Sequence, residues 1–520
     1  MAGGQVPERL QNAPVNWSWQ LVLLGINGAV GGFLFGYDTC SMSASLLQLK
    51  DSSEIVQCPG LTPTGLNLAE QQMVTSFVVL GAFGGAIFAG PSAFHYGRRK
   101  TLLSGSGIFF VGALMMAAST DLAFMLVARI VTGVGVGISS HTVPLYISEC
   151  APPQLRGSFC FMNDLMIVFG QFIAAIISTI FFQFEVVYGW RWILGLGAVP
   201  AIMMFIGFSL QPESPRWLVS QTRMEEAKEV LQTLRGEDAD SEVIQHEFNE
   251  MVEGIKTEQW TADHETTVYE TYIKDSRVRN ALLLGCGLQF LQQWSGINTI
   301  MYYGASVLEF ASPDPDGPPN CFNPQNKNNV AWTILFAFGQ LPGVFSSWYL
   351  VDKLGRRPLI LVSTMGAFVS LVVCGFVFYA EEVSKPAVIV FVMLYLMSFG
   401  AGMSPVPWTV NAEIHPLPVR AQCISCSCST NWINNYIVSA TFLSLAEALS
   451  THRSDREGHP DGVFWLYAAF TGVGMLVLYR HMPETKGLTL EEMGQLFEDA
   501  DDADKVSSET SPLLSRGSKI

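Results

Sequence analysis

Charged residues are scarce in this sequence, and motifs that hold metals, phosphates or catalytic nucleophiles are missing from it. Only 14% of its 520 residues are charged, whereas soluble domains contain about 25%. Cys423, Cys426 and Cys428 lie close together, but no suitably spaced His or further Cys completes a metal site. The first apolar run follows a polar arm and lacks a processing site, so we expect no cleavable signal. We also expect no enzyme, no metal and no cofactor.

Acidic residues outnumber basic ones, but the excess lies in two polar segments. The net charge is −16. Residues 212–275 carry sixteen acids and six bases, and residues 484–520 carry nine acids and four bases, which leaves −1 for the rest of the chain. This acidity belongs to soluble pieces beside a nearly neutral core, and it gives no reason to expect a nucleic-acid partner.

Long apolar runs make up most of the remaining chain. Hydrophobic residues account for 49% of the sequence, and the runs are close to or longer than the roughly 20 residues that cross a bilayer core. We predict an all-α polytopic membrane protein with twelve transmembrane helices. The predicted spans are 19–47, 71–93, 101–119, 122–147, 159–184, 191–210, 280–308, 328–350, 358–380, 386–411, 421–449 and 462–481.

The positions of Arg and Lys predict the orientation of these spans. Short basic loops alternate with loops that are poor in bases, such as 51–70 and 309–327. Basic loops face the cytosol, so both termini and the polar segment 212–275 are expected on the cytosolic side. The basic loops hold Arg98-Arg99-Lys100, Arg156, Lys353-Arg356-Arg357 and Arg420.

The two halves of the chain repeat the same signals. Gly97-Arg98-Arg99 after the second span matches Gly355-Arg356-Arg357 after the eighth, and PES at 212–214 matches PET at 483–485. The pair Glu149 and Arg156 has the same spacing as the pair Glu413 and Arg420. Two parallel six-span repeats are one internal symmetry of secondary transporters, whose substrate site lies near mid-membrane between them. The expected organisation is a cytosolic arm (1–18), a six-helix bundle (19–210), a cytosolic helical linker (211–279), a second six-helix bundle (280–482) and a cytosolic acidic tail (483–520).

The stretch Gln289–Tyr303 (QFLQQWSGINTIMYY) is the most polar part of an apolar run that contains no Lys, Arg or Asp. Amide side chains are costly in hydrocarbon unless they face protein groups or water. Asn298 lies off the amide face of an ideal helix, but unwinding at Gly296 would bring it round. These amides either bond neighbouring helices or line a cavity for a polyhydroxylated solute, and we favour the cavity. The shared face holds Gln289, Gln292, Gln293 and Gly296.

A set of motifs across nearly the whole chain resembles the sugar porter family of the major facilitator superfamily, in that family's order. Within the family, GINTIMYY, PWTVNAEI and NWINN look most like the proton-coupled myo-inositol transporters. The resemblance implies the major facilitator fold and secondary transport by alternating access. The family motifs are GRRK, PLYISECAPPQLRG, GWRW, PESPRWL, QQWSGIN, GRR, PWTVNAEIHP and PETKG.

The resemblance assigns proton coupling to Asp38 in the first span and Arg129 in the fourth. An ionised side chain at mid-membrane costs about 2.5–3.5 kcal/mol on insertion scales, so each requires a partner or a water cavity. The alternative is structural: Arg129 ties helices together and Asp38 caps a bend.

The resemblance also implies a set of sugar contacts. Amides both donate and accept hydrogen bonds, which suits ring hydroxyls, and a Trp offers a flat apolar face for a ring. Asn431 stands where several hexose transporters have Gln and where inositol transporters have Asn, which favours a cyclitol over an aldose. The remaining contacts are Gln171, Gln292, Gln293, Asn298, Trp408 and Asn435, with Tyr302 one turn beyond Asn298.

A cytosolic charge network that latches the two halves is implied as well. The family's first loop usually reads Asp-Arg-x-Gly-Arg-Arg, but here Phe94 takes the place of the acid, whereas the second loop keeps Asp352. The first latch therefore lacks an anion. The network consists of Arg98, Arg99, Glu149, Arg156, Asp352, Arg356, Arg357, Glu413 and Arg420.

Three further features of the sequence have possible roles: an acid in the fifth span, two exoplasmic cysteines and a motif in the tail. Asp164 lies seven residues before Gln171, so it either titrates near the cavity or is a buried hydrogen-bonded acid without a transport role. Cys58 and Cys321 lie in predicted exoplasmic loops, where a disulfide would join the halves but limit their opening. The tail motif ending in Leu513-Leu514 resembles acidic dileucine sorting signals, which implies sorting adaptors as partners.

The sequence therefore predicts a proton-coupled myo-inositol symporter, embedded in the plasma membrane or in an endosomal, lysosomal or vacuolar membrane. Its expected partners are a small polyol or monosaccharide, protons and the bilayer. One alternative is a hexose facilitator or hexose–proton symporter. Another is a non-transporting nutrient sensor, although such sensors commonly carry long cytosolic tails, and here fewer than forty residues follow the last span.

Overall fold

A computed structural model describes residues 17–50, 65–184, 188–236, 241–263, 272, 275–312, 324–380, 382–415, 419–451 and 459–486. All regular structure in these ranges is helical. The first half comprises α1 (Trp19–Leu49), α2 (Leu68–Tyr96), α3 (Arg98–Ala117), α4 (Leu122–Cys150), α5 (Pro153–Phe184), α6 (Gly189–Gly195) and α7 (Ala198–Ser209). Three helices follow: α8 (Pro215–Ser220), α9 (Met224–Arg235) and α10 (Ser241–Asp263). The second half comprises α11 (Ser276–Trp294), α12 (Ile297–Phe310), α13 (Pro324–Leu354), α14 (Arg356–Tyr379), α15 (Lys385–Ser398), α16 (Val406–Glu413), α17 (Arg420–Ala448) and α18 (Asp461–His481).

Helices lie at every predicted span, which confirms the predicted all-α membrane architecture. Within the described ranges, ten helical segments are long and apolar enough to cross a membrane. The other two predicted spans are the polar ones: 280–308 is divided between α11 and α12, and 421–449 is α17, which is rich in Ser, Thr, Cys and Asn. These two polar spans carry six of the eight predicted substrate contacts.

Three spans are interrupted near their middle. Gly296 adopts a left-handed conformation with φ of 87° between α11 and α12, which confirms the expected unwinding. A Cβ at this position would lie 2.5 Å from the ring of Tyr467, so only glycine fits. A π-helical turn, Phe399–Met403, lies between α15 and α16, and α6 ends one turn before α7 begins. Backbone groups freed by such breaks are available inside the bundle.

We call the end of the bundle that holds Arg98 and Arg356 the basic end. At the opposite end, the two halves are in contact. Lys50 Nζ lies 3.2 Å from Glu309 Oε1, and the Ser43 hydroxyl accepts a hydrogen bond from the Ala305 N–H at 2.9 Å. The halves are therefore held together on the side away from the basic end. A further contact there joins Gln72 and Ser444.

Helices α8 to α10 form a small apolar cluster of their own and pack on the first half. Trp217, Ala227 and Ile255 are buried in this cluster. Arg235 donates a hydrogen bond to the Cys150 carbonyl at the end of α4 (2.9 Å), and the Ser18 hydroxyl donates to the Leu234 carbonyl (2.7 Å). Helix α9 lies within the segment 211–279, for which a helical linker was expected.

Candidate functional site

A buried cluster of amides surrounds the break at Gly296. The Asn431 amide on α17 donates to the side-chain oxygens of Gln289 (2.7 Å) and Gln292 (2.9 Å) on α11. Gln292 in turn donates to the Met403 carbonyl (2.9 Å) at the end of the π-helical turn. The three side chains are at most 5% exposed. This network links the irregular parts of two spans to α17. Its hydrogen bonds fix the orientation of the three amide groups.

The break at Gly296 brings two predicted substrate-binding residues, Gln293 and Asn298, together. Asn298, at the start of α12, donates to the Gln293 side-chain oxygen at 2.6 Å. Among the described residues, no other side-chain hydrogen bond reaches the Gln293 amide nitrogen or the Asn298 side-chain oxygen. One donor and one acceptor therefore stay available beside each other, the pattern that a hydroxyl group can satisfy by accepting one bond and donating another.

Gln289 is a functional candidate that was not among the predicted substrate contacts. Its side chain is fully buried, and its amide nitrogen has no partner within the described part of the chain. A buried donor without a partner costs about 1–3 kcal/mol. Its position on the same helical face as Gln292 and Gln293 had already marked it as part of the expected cavity wall, although the family resemblance assigns it no sugar contact.

The remaining predicted contacts lie on α12 and α17, which already belong to this cluster, and on two further helices, α5 and α16. Tyr302 on α12 is buried beside Thr39 of α1 and Asn435 of α17. Gln171 on α5 is 6% exposed, and its buried side-chain oxygen has no partner among the described residues. Trp408 on α16 is 39% exposed, which leaves much of its ring free for contact. Residues from both halves thus approach the centre of the bundle.

The predicted coupling pair is formed. Arg129 Nη1 on α4 lies 3.1 Å from Asp38 Oδ1 on α1, and both side chains are buried. The guanidinium also donates to the Val74 carbonyl at 2.9 Å, so Arg129 ties α4 to α1 and α2. Tyr302 lies near Asp38, which places this pair next to the amide cluster.

At the basic end, the charge network of the first half is built around Arg98. Its guanidinium forms a two-point contact with Glu149, with distances of 2.9 and 2.8 Å. Glu213, from PES, accepts hydrogen bonds from the backbone N–H groups of Arg98 (2.9 Å) and Arg99 (3.0 Å) at the start of α3. Arg99 donates to the Phe208 carbonyl at 3.1 Å. The first half thus lacks an acid at position 94, where Phe94 stands, but Arg98 forms a bidentate pair with Glu149. This is the strongest ion-pair geometry available to arginine.

The second half repeats this arrangement with one difference. Arg356 contacts Glu413 at 3.0 Å and Asp352 at 3.2 Å. Glu484, from PET, accepts hydrogen bonds from the N–H groups of Arg356 and Arg357 (2.9 and 3.1 Å). Arg356 therefore divides its guanidinium between two acids, whereas Arg98 uses Glu149 alone.

Glu213 and Glu484 were missed as functional residues, although PES and PET were recognised as a repeat. Each caps the first turn of a helix that starts after a glycine with positive φ, Gly97 (96°) or Gly355 (93°). Partial burial raises the pKa of Glu484, but hydrogen bonds from four backbone N–H groups outweigh it, so this pKa lies below its usual value. The signal for this role was the order of the motifs, because each half has a Gly-Arg-Arg turn and then a Pro-Glu motif after its last span.

The network stays within each half in the described side chains. Arg98 pairs with Glu149 and Arg356 with Glu413, and Arg420 donates to the carbonyl of His415 at 3.1 Å. The side chain of Arg156 lies outside the described residues, as do Cys58, Cys321 and the Leu513-Leu514 motif. No cluster of His, Cys, Asp or Glu that could hold a metal occurs in the described ranges.

Comparisons with known proteins agree on one family. The model of the family described as "Sugar (and other) transporter" matches residues 25–497. The human proton myo-inositol cotransporter is 32% identical, with 92% of this chain and 82% of that protein aligned. The galactose-proton symporter of Escherichia coli is 31% identical, with 89% of this chain and 92% of that protein aligned.

Solved structures show the same fold. The xylose transporter XylE from E. coli, in a partially occluded inward-open conformation, superposes with a TM-score of 0.73 at 23% identity. The match covers 91% of this chain and all of that protein. The architecture is therefore that of the major facilitator superfamily.

Proposed function

Because the chain belongs to the sugar transporter family, we propose that it carries myo-inositol across a membrane together with protons, by alternating access. It is a multi-pass integral membrane protein, and the proteins it matches are transporters rather than enzymes. A sequence relative aligned over 92% of the chain is named for the same pair of substrates.

The observation that carries the proposal is the amide cluster around Gly296. Six amide side chains from α11, α12 and α17 lie at the centre, and several of their polar atoms have no protein partner. A cyclitol presents a hydroxyl on every ring carbon, each able to donate and accept, which matches a wall of amides better than one of charges. The six are Gln289, Gln292, Gln293, Asn298, Asn431 and Asn435.

The coupling site in this proposal is the pair of Asp38 and Arg129. An ionised Asp38 holds Arg129, and with it α1, α2 and α4, in one arrangement. A proton on Asp38 removes that charge and releases the guanidinium to other polar groups. Because Tyr302 bridges the space between Asp38 and Asn435, a change at the pair reaches the substrate-binding residues of the other half.

Alternating access is proposed to use the two ends of the bundle in turn. The described conformation is joined between halves by Lys50–Glu309 at the opposite end, and its basic-end ion pairs stay within one half each. This is the pattern of a transporter that is closed on the exoplasmic side. When the basic end closes instead, the charged groups of the two halves approach one another.

We further propose that the basic end, both termini and α8 to α10 face the cytosol, because Arg and Lys are concentrated there. The Leu513-Leu514 motif is proposed to bind sorting adaptors that direct the protein to an endosomal, lysosomal or vacuolar membrane. Deleting the two leucines should then move a fluorescently tagged protein to the cell surface; an unchanged distribution would remove the motif from the account.

A hexose is the second candidate substrate, because a galactose-proton symporter is 31% identical over most of the chain. Uptake of labelled myo-inositol, galactose and glucose into proteoliposomes, each with and without an imposed pH gradient, separates the candidates. The proposal predicts gradient-driven accumulation of myo-inositol that excess unlabelled hexose does not suppress. Accumulation of hexose alone would replace the proposed substrate, and no uptake of any solute would favour a sensor.

A further inference from the structure

Asp164 is an acid inside a membrane span to which neither the substrate cluster nor the coupling pair gives a role. It lies on α5, seven residues and so about two helical turns before Gln171. Its side chain is partly accessible, and no described residue donates a hydrogen bond to it or forms an ion pair with it. A lone carboxylate in a span requires water or a ligand.

The contacts of α5 show which way Asp164 points. Phe161 stacks on Trp348 of α13 with ring centroids 5.5 Å apart, and Thr179 donates to the Val330 carbonyl of α13 at 3.4 Å. These two α5 residues are five whole turns apart at about 3.6 residues per turn, so they mark one side of the helix, the side facing α13.

The other sides of α5 follow from the same geometry. Met162, Phe169 and Ile180 lie about 80–100° to one side of that direction, and they are 41%, 38% and 45% exposed, as lipid-facing apolar residues are. Asp164 and Gln171 lie about 60–80° to the other side, away from lipid.

The inward side of α5 is bounded by α1. The backbone of α5 near Asn163 lies so close to α1 that a Cβ on Gly32 would be 2.1 Å from the Asn163 carbonyl oxygen. Asp164 therefore projects between α1 and α13, towards the centre of the bundle. Gln171, on the same side, supplies an independent sign of an unfilled site, because its buried side-chain oxygen has no partner in the part of the chain that the structure describes.

Charged groups on the helices around Asp164 are directed elsewhere. Asp38 on α1 is bound to Arg129, and His141 on α4 lies against Gly90 of α2. The other charged and titratable side chains of these helices lie at the ends of the bundle or in contacts of their own: Tyr37 and Cys40 on α1, Tyr146, Glu149 and Cys150 on α4, Lys327, Tyr349, Asp352 and Lys353 on α13, and Arg191 on α6. Asp164 can therefore gain or lose its proton independently of a neighbouring ion pair.

We propose that Asp164 is a second protonation site of the transport path, whose ionised carboxylate accepts hydrogen bonds from hydroxyl groups of the bound substrate. Water entering from the basic end supplies and removes its proton. Protonation replaces a charged acceptor with a neutral acid, so proton binding here opposes substrate binding. The inference rests on the proposed function, since it assumes a polyhydroxylated substrate in the central cavity.

The test is myo-inositol binding to the purified full-length protein between pH 5 and pH 8. The wild type should bind more weakly as the pH falls. Asp164→Asn should bind roughly tenfold more weakly than the wild type at pH 8, because a charged acceptor is replaced by a neutral one. In the Asp38→Asn background, which removes any pH dependence that arises at the coupling pair, adding Asp164→Asn should leave an affinity that does not change with pH. Met162→Leu, on the lipid side, should match the wild type at every pH.

Two further variants distinguish this role from a structural one. Asp164→Glu keeps the carboxylate and should keep the pH dependence even if its affinity is lower. Asp38→Asn should keep it too, because the two sites titrate separately. A pH dependence that persists in the Asp38→Asn/Asp164→Asn double variant, or one that is absent from the wild type or from Asp164→Glu, overturns the inference. A wild type that binds no myo-inositol at any pH contradicts the proposed function instead.

Discussion

Asn431 is the side chain on which substrate choice is expected to depend most. Its amide donates hydrogen bonds to both Gln289 and Gln292. Asn431→Gln lengthens the side chain by about one methylene group, so its amide could no longer make both hydrogen bonds. Unpaired buried groups cost about 1–3 kcal/mol each, roughly five- to a hundred-fold in affinity. We expect competition assays to show a larger loss for myo-inositol than for hexose.

Trp408→Ala provides the comparison for that experiment. The indole ring gives apolar contact area to any ring substrate, so its loss should weaken myo-inositol and hexose alike. An equal loss of both solutes in Asn431→Gln would remove the claim that Asn431 determines selectivity.

Single residues also show what the sequence could and could not predict. The turn at Gly296 followed from the permissive backbone of glycine. The cost of buried charge required a partner or a water cavity for Asp38 and for Arg129, and the family resemblance linked these two residues. The partners of the amides did not follow, because Asn431 and Gln292 meet across 139 residues of sequence. Nor did the π-helical turn Phe399–Met403, where Gly400 and Gly402 lie close to the backbones of α13 and α14.

At the scale of elements, the break between α11 and α12 is expected to be necessary for transport. Gly296→Ala places a Cβ in the left-handed region, at about 1–2 kcal/mol, and against Tyr467. It should separate Gln293 from Asn298 and reduce myo-inositol binding. Gly287→Ala, in α11, is the matched control, since a Cβ there meets nothing within 4 Å. Equal binding by the two variants would show that the break is not needed.

The capped starts of α3 and α14 give a pH-dependent prediction. Glu484 has a pKa below its usual value, so its stabilising effect is present above the unfolded-state pKa of about 4.3 and is lost as the pH falls through the lower folded-state value. Glu484→Gln should cost about 1 kcal/mol near neutral pH, as lost caps do, and less in acid. Thermal unfolding in detergent at several pH values measures this. Asp352→Asn, at a side chain that is 80% exposed, should have little effect; a larger effect there than in Glu484→Gln would contradict the assignment.

The contact between α1 and α12 at the opposite end makes a further prediction. Lys50→Glu places a carboxylate beside Glu309 and should shift the protein towards the outward-open state by about 1 kcal/mol or less, the usual range for accessible pairs. The apparent affinity for external substrate should rise by up to about fivefold. Exchanging the two charges in Lys50→Glu/Glu309→Lys should restore it. A double variant that behaves like Lys50→Glu would exclude the ion pair as a gate.

At the scale of the whole molecule, the repeat explains why the sequence predicted the architecture well. The GRR turns and the PES and PET motifs recur because each half builds the same capped helix start and the same arginine–glutamate pair. The conformational state could not be predicted in this way, since the same residues serve both states. The proposed state rests instead on the contact between Lys50 and Glu309, which joins the two halves at the end of the bundle opposite the basic end.

The central claim is that a proton on Asp38 drives uphill movement of myo-inositol. The direct measurement is accumulation of labelled myo-inositol in proteoliposomes under an imposed pH gradient, with a protonophore as control. The wild type should accumulate solute above equilibrium and lose it when the gradient is dissipated. Asp38→Asn should bind and exchange myo-inositol without accumulating it. Uphill uptake by Asp38→Asn with an unchanged pH profile would contradict the account.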